Sequence, residues 1–189
     1  MSGIISPYAL NPNVPGGLSP GAMNNPIASV APLLNNGLVT IPAQTFVAFL
    51  CTAGSSVRLT TLGTYLHTAG ATPGAGVNQL AIYSAAGALL GQTVDMTAAM
   101  QAAGLCEGAL TAPVTIAAGT NYYLAMLPNF TGTAIQTLGF NGQAINAGLP
   151  MSNGVYPCLF TGAQASLPAS FTPSALGPGG SVNYVYGRP

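Results

Sequence analysis

The side chains of this 189-residue chain that could transfer a proton, attack a carbon or hold a metal are few: His67, Asp95, Glu107, Cys51, Cys106 and Cys158, with Arg58 and Arg188 as the cations. General acid–base catalysis needs two titratable groups within reach of one bond. Asp95 and Glu107, which lie on one short segment, are the available carboxylates. A glycosidase pair also needs a lined cleft, and the chain has no Trp, so both acids read as solvated loop groups or as partners of Arg58. A Ser–His–Asp arrangement would have to draw on His67 and Asp95, but no GxSxG is present. His67 falls at a strand end beside a turn, the ordinary place for an exposed or hydrogen-bonded imidazole. One His, two acids and three scattered Cys make no zinc or calcium spacing. The glycine-rich segments lack GxxxxGK[ST] and a strand-to-helix GxGxxG, so they read as turns. The expectation is a protein without catalytic residues, cofactor or metal.

The three cysteines form no CxxC and have apolar neighbours, which predicts buried free thiols. Two arginines far apart in the chain make no phosphate-binding patch, so nucleic acid is not an expected partner. Asn129-Phe130-Thr131 matches the glycosylation sequon. The start MSGIISPYAL lacks the basic residues and long apolar run of a secretory signal, which predicts synthesis in a cytoplasm and an unused sequon.

Charged residues make up 2% of the chain, against about 25% in ordinary soluble domains. Hydrophobic residues make up 49%, and the mean hydropathy is +0.50. Mixed surface charge is what normally keeps proteins apart, so this surface is expected to be covered in an assembly, as a homotrimer or larger. No window holds 18 uninterrupted apolar residues, which argues against a transmembrane helix. The absence of Trp and an aromatic content of 7% argue against the girdles of a membrane β-barrel.

The elements that would position these residues are strands. VRLTTLGTYLH (57–67), VNQLAIY (77–83), ALLGQTV (88–94) and APVTIAAGTNYYLAML (112–127) are extended patterns separated by the turns AGATPGAG (69–76) and SAAG (84–87). DMTAAMQAAGLCEGAL (95–110) interrupts them and predicts one or two helical turns before Gly104. LVTIPAQTFVAFLCT (38–52) reads as two strands around a Pro break, the second with Phe46, Ala48 and Leu50 on one face and Val47, Phe49 and Cys51 on the other, both buried. PNFTG (128–132) reads as a turn, and AIQTLGF (134–140), GVYPCLF (154–160) and SVNYVYG (181–187) as further strands. Eight to ten strands at this spacing predict an all-β fold, an antiparallel β-sandwich of jelly-roll type, over residues 38–189.

Residues 1–37 read differently. Pro7, Pro12, Pro15, Pro20, Pro26 and Pro32 prevent a long helix or strand ladder, which predicts an extended N-terminal arm. The arm is apolar: Ile4, Ile5, Tyr8, Leu10, Val14, Leu18, Met23, Ile27, Val30, Leu33 and Leu34 are its candidate interface residues, suited to a groove on its own domain or a neighbour.

TAGATPGAGVNQLAIYSAAGALLGQT and, further on, LTAPVTIAAGTNYYLAML resemble a β-sandwich module of bacteriophage virion proteins and some secreted bacterial proteins. That module has a Gly/Pro turn before an LALYDANGNLLG-like hairpin and a later APVTLTAGTTYYVAY-like hairpin. The ending LPASFTPSALGPGGSVNYVY (167–186) is similar to the terminal strands of phage virion proteins. The resemblance implies a non-enzymatic virion component on the outer surface of the particle. It would be a capsid decoration (cement) protein contacting copies of itself and other virion proteins such as the major capsid protein. The alternative is a minor tail or tail-fibre protein binding a host-surface receptor or glycan. For that role Tyr65, Tyr83, Tyr122, Tyr123, Tyr156, Tyr184 and Tyr186 are the rings available for stacking, unless they pack in the core.

Overall fold

The computed structural model describes residues 25–28, 37–131, 134–141, 158–161, 164–173 and 181–189. Of the arm's candidate interface residues, Ile27 falls within them; Ile4, Ile5, Tyr8, Leu10, Val14, Leu18, Met23, Val30, Leu33 and Leu34 lie outside. Among the described residues the chain is all-β. Its elements are β1 (Ile27–Ala28), β2 (Gly37–Ile41), β3 (Phe46–Thr52), β4 (Val57–Thr68), β5 (Thr72–Pro73), β6 (Gln79–Ser84), β7 (Leu89–Gln92), α1 (Thr97–Met100), β8 (Gly104–Ile116), β9 (Asn121–Leu127), β10 (Phe130–Thr131), β11 (Ile135–Asn141), β12 (Cys158–Thr161), β13 (Ser181–Asn183) and β14 (Val185–Arg188).

All strand pairs are antiparallel and form two main sheets. The smaller sheet runs β12-β3-β9-β6-β7. The larger is built on β4, which pairs with β8 along one edge and with β14 and then β11 along the other; β1 extends it beyond β14, and β2 and β13 beyond β11. The chain changes sheet between β2 and β3, β3 and β4, β7 and β8, β8 and β9, β11 and β12, and β12 and β13, and, by way of β5 and β10, between β4 and β6 and between β9 and β11. β5 and β10 form a separate short ribbon.

Alternation along β3 explains why the centre of the smaller sheet is buried on both faces. Val47, Phe49 and Cys51 enter the layer between the sheets, with Leu80, Ile82 and Leu124 from the smaller sheet and Leu59, Leu62, Leu66 and Ile116 from the larger. Phe46 and Ala48 face the other way with Tyr83 and Tyr123, under Leu167 and Phe171. Both faces of this strand are therefore apolar, as its sequence predicts. The cover comes from the strap, residues 164–173, which is bonded to the sheet through Leu89 N–H to Ala169 O at 3.0 Å, Phe171 N–H to Gly87 O at 2.9 Å and Tyr83 Oη–H to Pro168 O at 2.9 Å. The Phe171 ring lies 5.7, 5.2 and 5.0 Å from the centroids of Phe46, Tyr83 and Tyr123. Gly87 makes this approach possible: its φ is +82°, and an added Cβ would lie 2.0 Å from Phe171 O.

One helical turn, α1, precedes Gly104 as expected, and three other local expectations are corrected. The later part of the 95–110 interruption is strand: from Gly104 the chain is already in β8, where Cys106, Gly108 and Leu110 point inward between Leu105, Glu107 and Ala109. This two-residue period outweighed the local run of alanines. Pairing of β8 with β4 then skips from Ala109 to Val114, past Pro113, which has no N–H to give. The final run is two strands and not one: β13 pairs with β11, β14 with β4, and Tyr184 between them donates its N–H to Leu138 O at 2.9 Å. The turns at 69–76 and 128–132 are not wholly turn either, since each contributes a strand to the β5–β10 ribbon.

Candidate functional site

The outer face of the larger sheet, opposite the inter-sheet core, gathers most of the unusual side chains. On β4 the outward positions are Thr61, Gly63 and Tyr65; their neighbours on β8 are Ala109, Glu107 and Leu105. On the other edge of β4, Tyr186 lies opposite Gly63 and Arg188 opposite Thr61. Gly63 has no side chain, so the Tyr186 ring crosses over it to reach Glu107; a Cβ there would lie 2.4 Å from Tyr186 Cζ. Tyr186 Oη–H donates to Glu107 Oε1, and Arg188 donates to Oε2 of the same carboxylate. Burial, then the Glu107 carboxylate, raises the Tyr186 phenol well above its ordinary range. The Tyr184 ring stacks at 5.3 Å and 31° on Tyr186, and Tyr184 Oη accepts from Asn25 Nδ2 at 3.2 Å. Burial pushes the Tyr184 phenol up to about 12.

Above this cluster an apolar row crosses the sheet. Leu38 pairs with Leu138, Leu138 O accepts from Tyr184 N–H, and Tyr65 pairs with Leu105. Leu38 and Leu105 are 43% and 51% exposed, and Leu138 and Tyr65 are half-buried. At the opposite end of β4 an open depression of about 460 Å³ is lined by Asn25, Pro26, Gly54, Ser55, Val57 and Pro189.

The two carboxylates weighed for catalysis are not brought together. Glu107 is held by Tyr186 and Arg188, not by Arg58. Asp95 Oδ1 accepts from Asn78 N–H at 3.0 Å, Thr97 N–H at 3.1 Å and Thr97 Oγ1–H at 2.7 Å, and serves a turn. His67 Nδ1 lies 3.3 Å from Thr68 Oγ1. Among the described residues no three His, Cys, Asp or Glu side chains cluster to hold a metal. Cys51 and Cys106 are free and buried, as expected; burial pushes their thiols up to about 12 and about 11, with the charge of Glu107 adding to the rise at Cys106. The side chain of Cys158 lies outside the described residues.

Of the tyrosines considered for sugar stacking, Tyr83, Tyr122, Tyr123, Tyr184 and Tyr186 are buried, Tyr65 is half-buried and Tyr156 is outside the described residues. Asn129, in the sequon, is fully buried; its N–H donates to Asn78 Oδ1 at 2.5 Å and its Nδ2 to Ala75 O at 2.5 Å, so its amide is tied inside the fold. Sequence reasoning missed this asparagine pair and the Glu107–Tyr186–Arg188 cluster. Each joins residues 51 or more positions apart, and the one available signal was alternation in VYGR, which sets Tyr186 and Arg188 on a common face. Among the described residues no helix is long and apolar enough to cross a membrane. No protein-family model matches this sequence, and no curated protein matches it either.

Proposed function

We infer that this chain is a non-enzymatic structural protein of a bacteriophage virion, a capsid decoration protein that attaches to its shell through apolar and backbone contacts. Its two sheets read as a jelly-roll-like β-sandwich and residues 1–37 as an extended arm whose root, Ile27, is built into the chain's own core. The observation that carries the reading is how the described surface uses its charges. Glu107 and Arg188 satisfy each other and Asp95 is spent on a turn, while Leu38, Leu90, Val94 and Leu105 are 43%, 43%, 49% and 51% exposed. Such a surface gains by being covered. The virion assignment itself draws on the sequence resemblance. Burial of five candidate tyrosines weighs against the tail-fibre alternative, which needs exposed rings.

The test is to tag the protein on intact particles and image the tag. Coverage of the head at many copies per particle is expected. A signal confined to the tail would replace this reading with the receptor-binding one, and protein absent from purified particles would overturn both.

A further inference from the structure

We propose that the chain modifies itself once after folding: the Thr68 hydroxyl attacks the Gln136 side-chain amide, with His67 as the base, and leaves an ester bond between β4 and β11. A bulge in β4 assembles the three groups. Gln136 lies opposite Thr68 and Thr137 opposite Leu66, so His67 is an extra residue in its strand. Strict alternation sets neighbouring side chains on opposite faces, yet here His67 Nδ1 comes to 3.3 Å from Thr68 Oγ1. Thr68 Oγ1–H donates to Gln136 Oε1 at 2.8 Å, and Gln136 Nε2–H donates to Thr40 Oγ1 at 3.2 Å. The amide is held at both ends, with its carbonyl turned to the hydroxyl and its nitrogen turned away. The chain's single histidine thus stands beside a hydroxyl that already touches a side-chain carbonyl on the neighbouring strand.

The step balances within the chain. In the tautomer with its proton on Nε2, His67 takes the Thr68 hydroxyl proton on Nδ1 as Oγ1 bonds to Gln136 Cδ. The tetrahedral centre then collapses by breaking Cδ–Nε2. The proton passes from His67 to the departing nitrogen, ammonia leaves to solvent, and the imidazole is returned unchanged. An amide is a poor electrophile, and what favours the exchange is position: a well-oriented hydroxyl reacts at an effective molarity of about 10⁵ M or more, far above that of water. Thr68 and Gln136 are half-buried, which shields the new ester, while His67 and Thr40 are exposed and leave ammonia a way out. The seam is also the one that gains from a tie. β11 meets β4 at two paired positions, whereas β8 meets β4 at nine, and β2 reaches β4 only through β11.

Mass spectrometry of the purified full-length protein reads the result, independently of the virion reading. The unaltered protein should weigh about 17 Da less than its sequence requires, with or without the initiator methionine, because ammonia has been expelled. Chymotryptic digestion should yield a peptide pair joined through Thr68 and Gln136. Thr68→Val removes the nucleophile at nearly equal size and should have full mass, whereas Thr68→Ser keeps a hydroxyl and should keep the loss. His67→Ala should leave most of a fresh preparation at full mass. Full mass in the unaltered protein overturns the proposal whatever the variants do. So does a loss that persists in Thr68→Val, which would place it at a succinimide of one of the Asn–Gly pairs. A His67→Ala protein as fully linked as the unaltered one would overturn the assignment of the base.

Discussion

Asp95 shows how one of the chain's few charges has been put to local use. Partial burial alone would raise its carboxyl, but hydrogen bonds from Asn78 N–H, the Thr97 hydroxyl and the Thr97 and Met96 N–H groups outweigh it and hold the pKa below 3.8. A carboxylate with a depressed folded pKa contributes stability above its unfolded value, and that contribution disappears as pH falls through the folded value. Asp95→Asn should therefore be less stable than the unaltered protein at neutral pH, with the difference shrinking below about pH 3.8. Urea midpoints measured at a series of pH values give the comparison. A difference constant down to the acid limit would mean that the side chain's shape, not its charge, supports the turn. Asn78, whose N–H donates to Asp95, also accepts from Asn129 N–H, and Asn129 Oδ1 is buried without a hydrogen-bond partner, close to where a Cβ on Gly74 would sit. Any side chain at position 74 would crowd an amide that ties residue 129 to the segment 75–78.

At the level of elements, the strap is the piece whose removal tests the architecture most directly. Phe171 touches three aromatic rings on the outer face of the smaller sheet, yet it belongs to a segment bonded there by a handful of backbone groups. Phe171→Ala should lower stability by about 2 kcal/mol, less than a fully buried Phe because the ring is half-buried. It should also raise binding of a hydrophobic dye, as Phe46, Tyr83 and Tyr123 become accessible. An unchanged midpoint with no dye binding would show that the strap is held by its backbone bonds alone. The strands beneath it were legible in sequence because alternation is a local signal: FVAFLCT announces two buried faces without any knowledge of what covers them. The strap was not, because LPASFTP has no period, and nothing local says that Leu167 and Phe171 lie over a distant sheet. For the same reason Glu107 and Asp95 could be singled out from composition, whereas their partners, set by cross-strand register, could not. β8 was half-read, its first residues hidden by the alanines and glycine before them.

For the whole molecule the dominant fact is a surface with almost no ions to screen. The formal net charge is zero, and Glu107–Arg188 is the one ion pair among the described residues. On the proposed role, attachment to a shell should change little between low and physiological salt, because screening acts on Coulombic attraction and there is little of it here. Occupancy on particles washed across a salt series measures this, and release at physiological salt would reveal an electrostatic contact elsewhere. The depression at the Val57 end has another consequence. Asn25 and Pro189 both line it, so the point where the N-terminal segment joins the body and the last residue of the sequence are neighbours in space. A short flexible linker could join them with a small closure entropy. The chain could then be reopened at the exposed turn 117–120, giving a circular permutant whose new ends lie in that turn, beside Ser56 and Ala53. In such a permutant β1 keeps its place beside β14 while the first 24 residues are gone, which would separate, in one polypeptide, what the sheet needs from what those residues contribute.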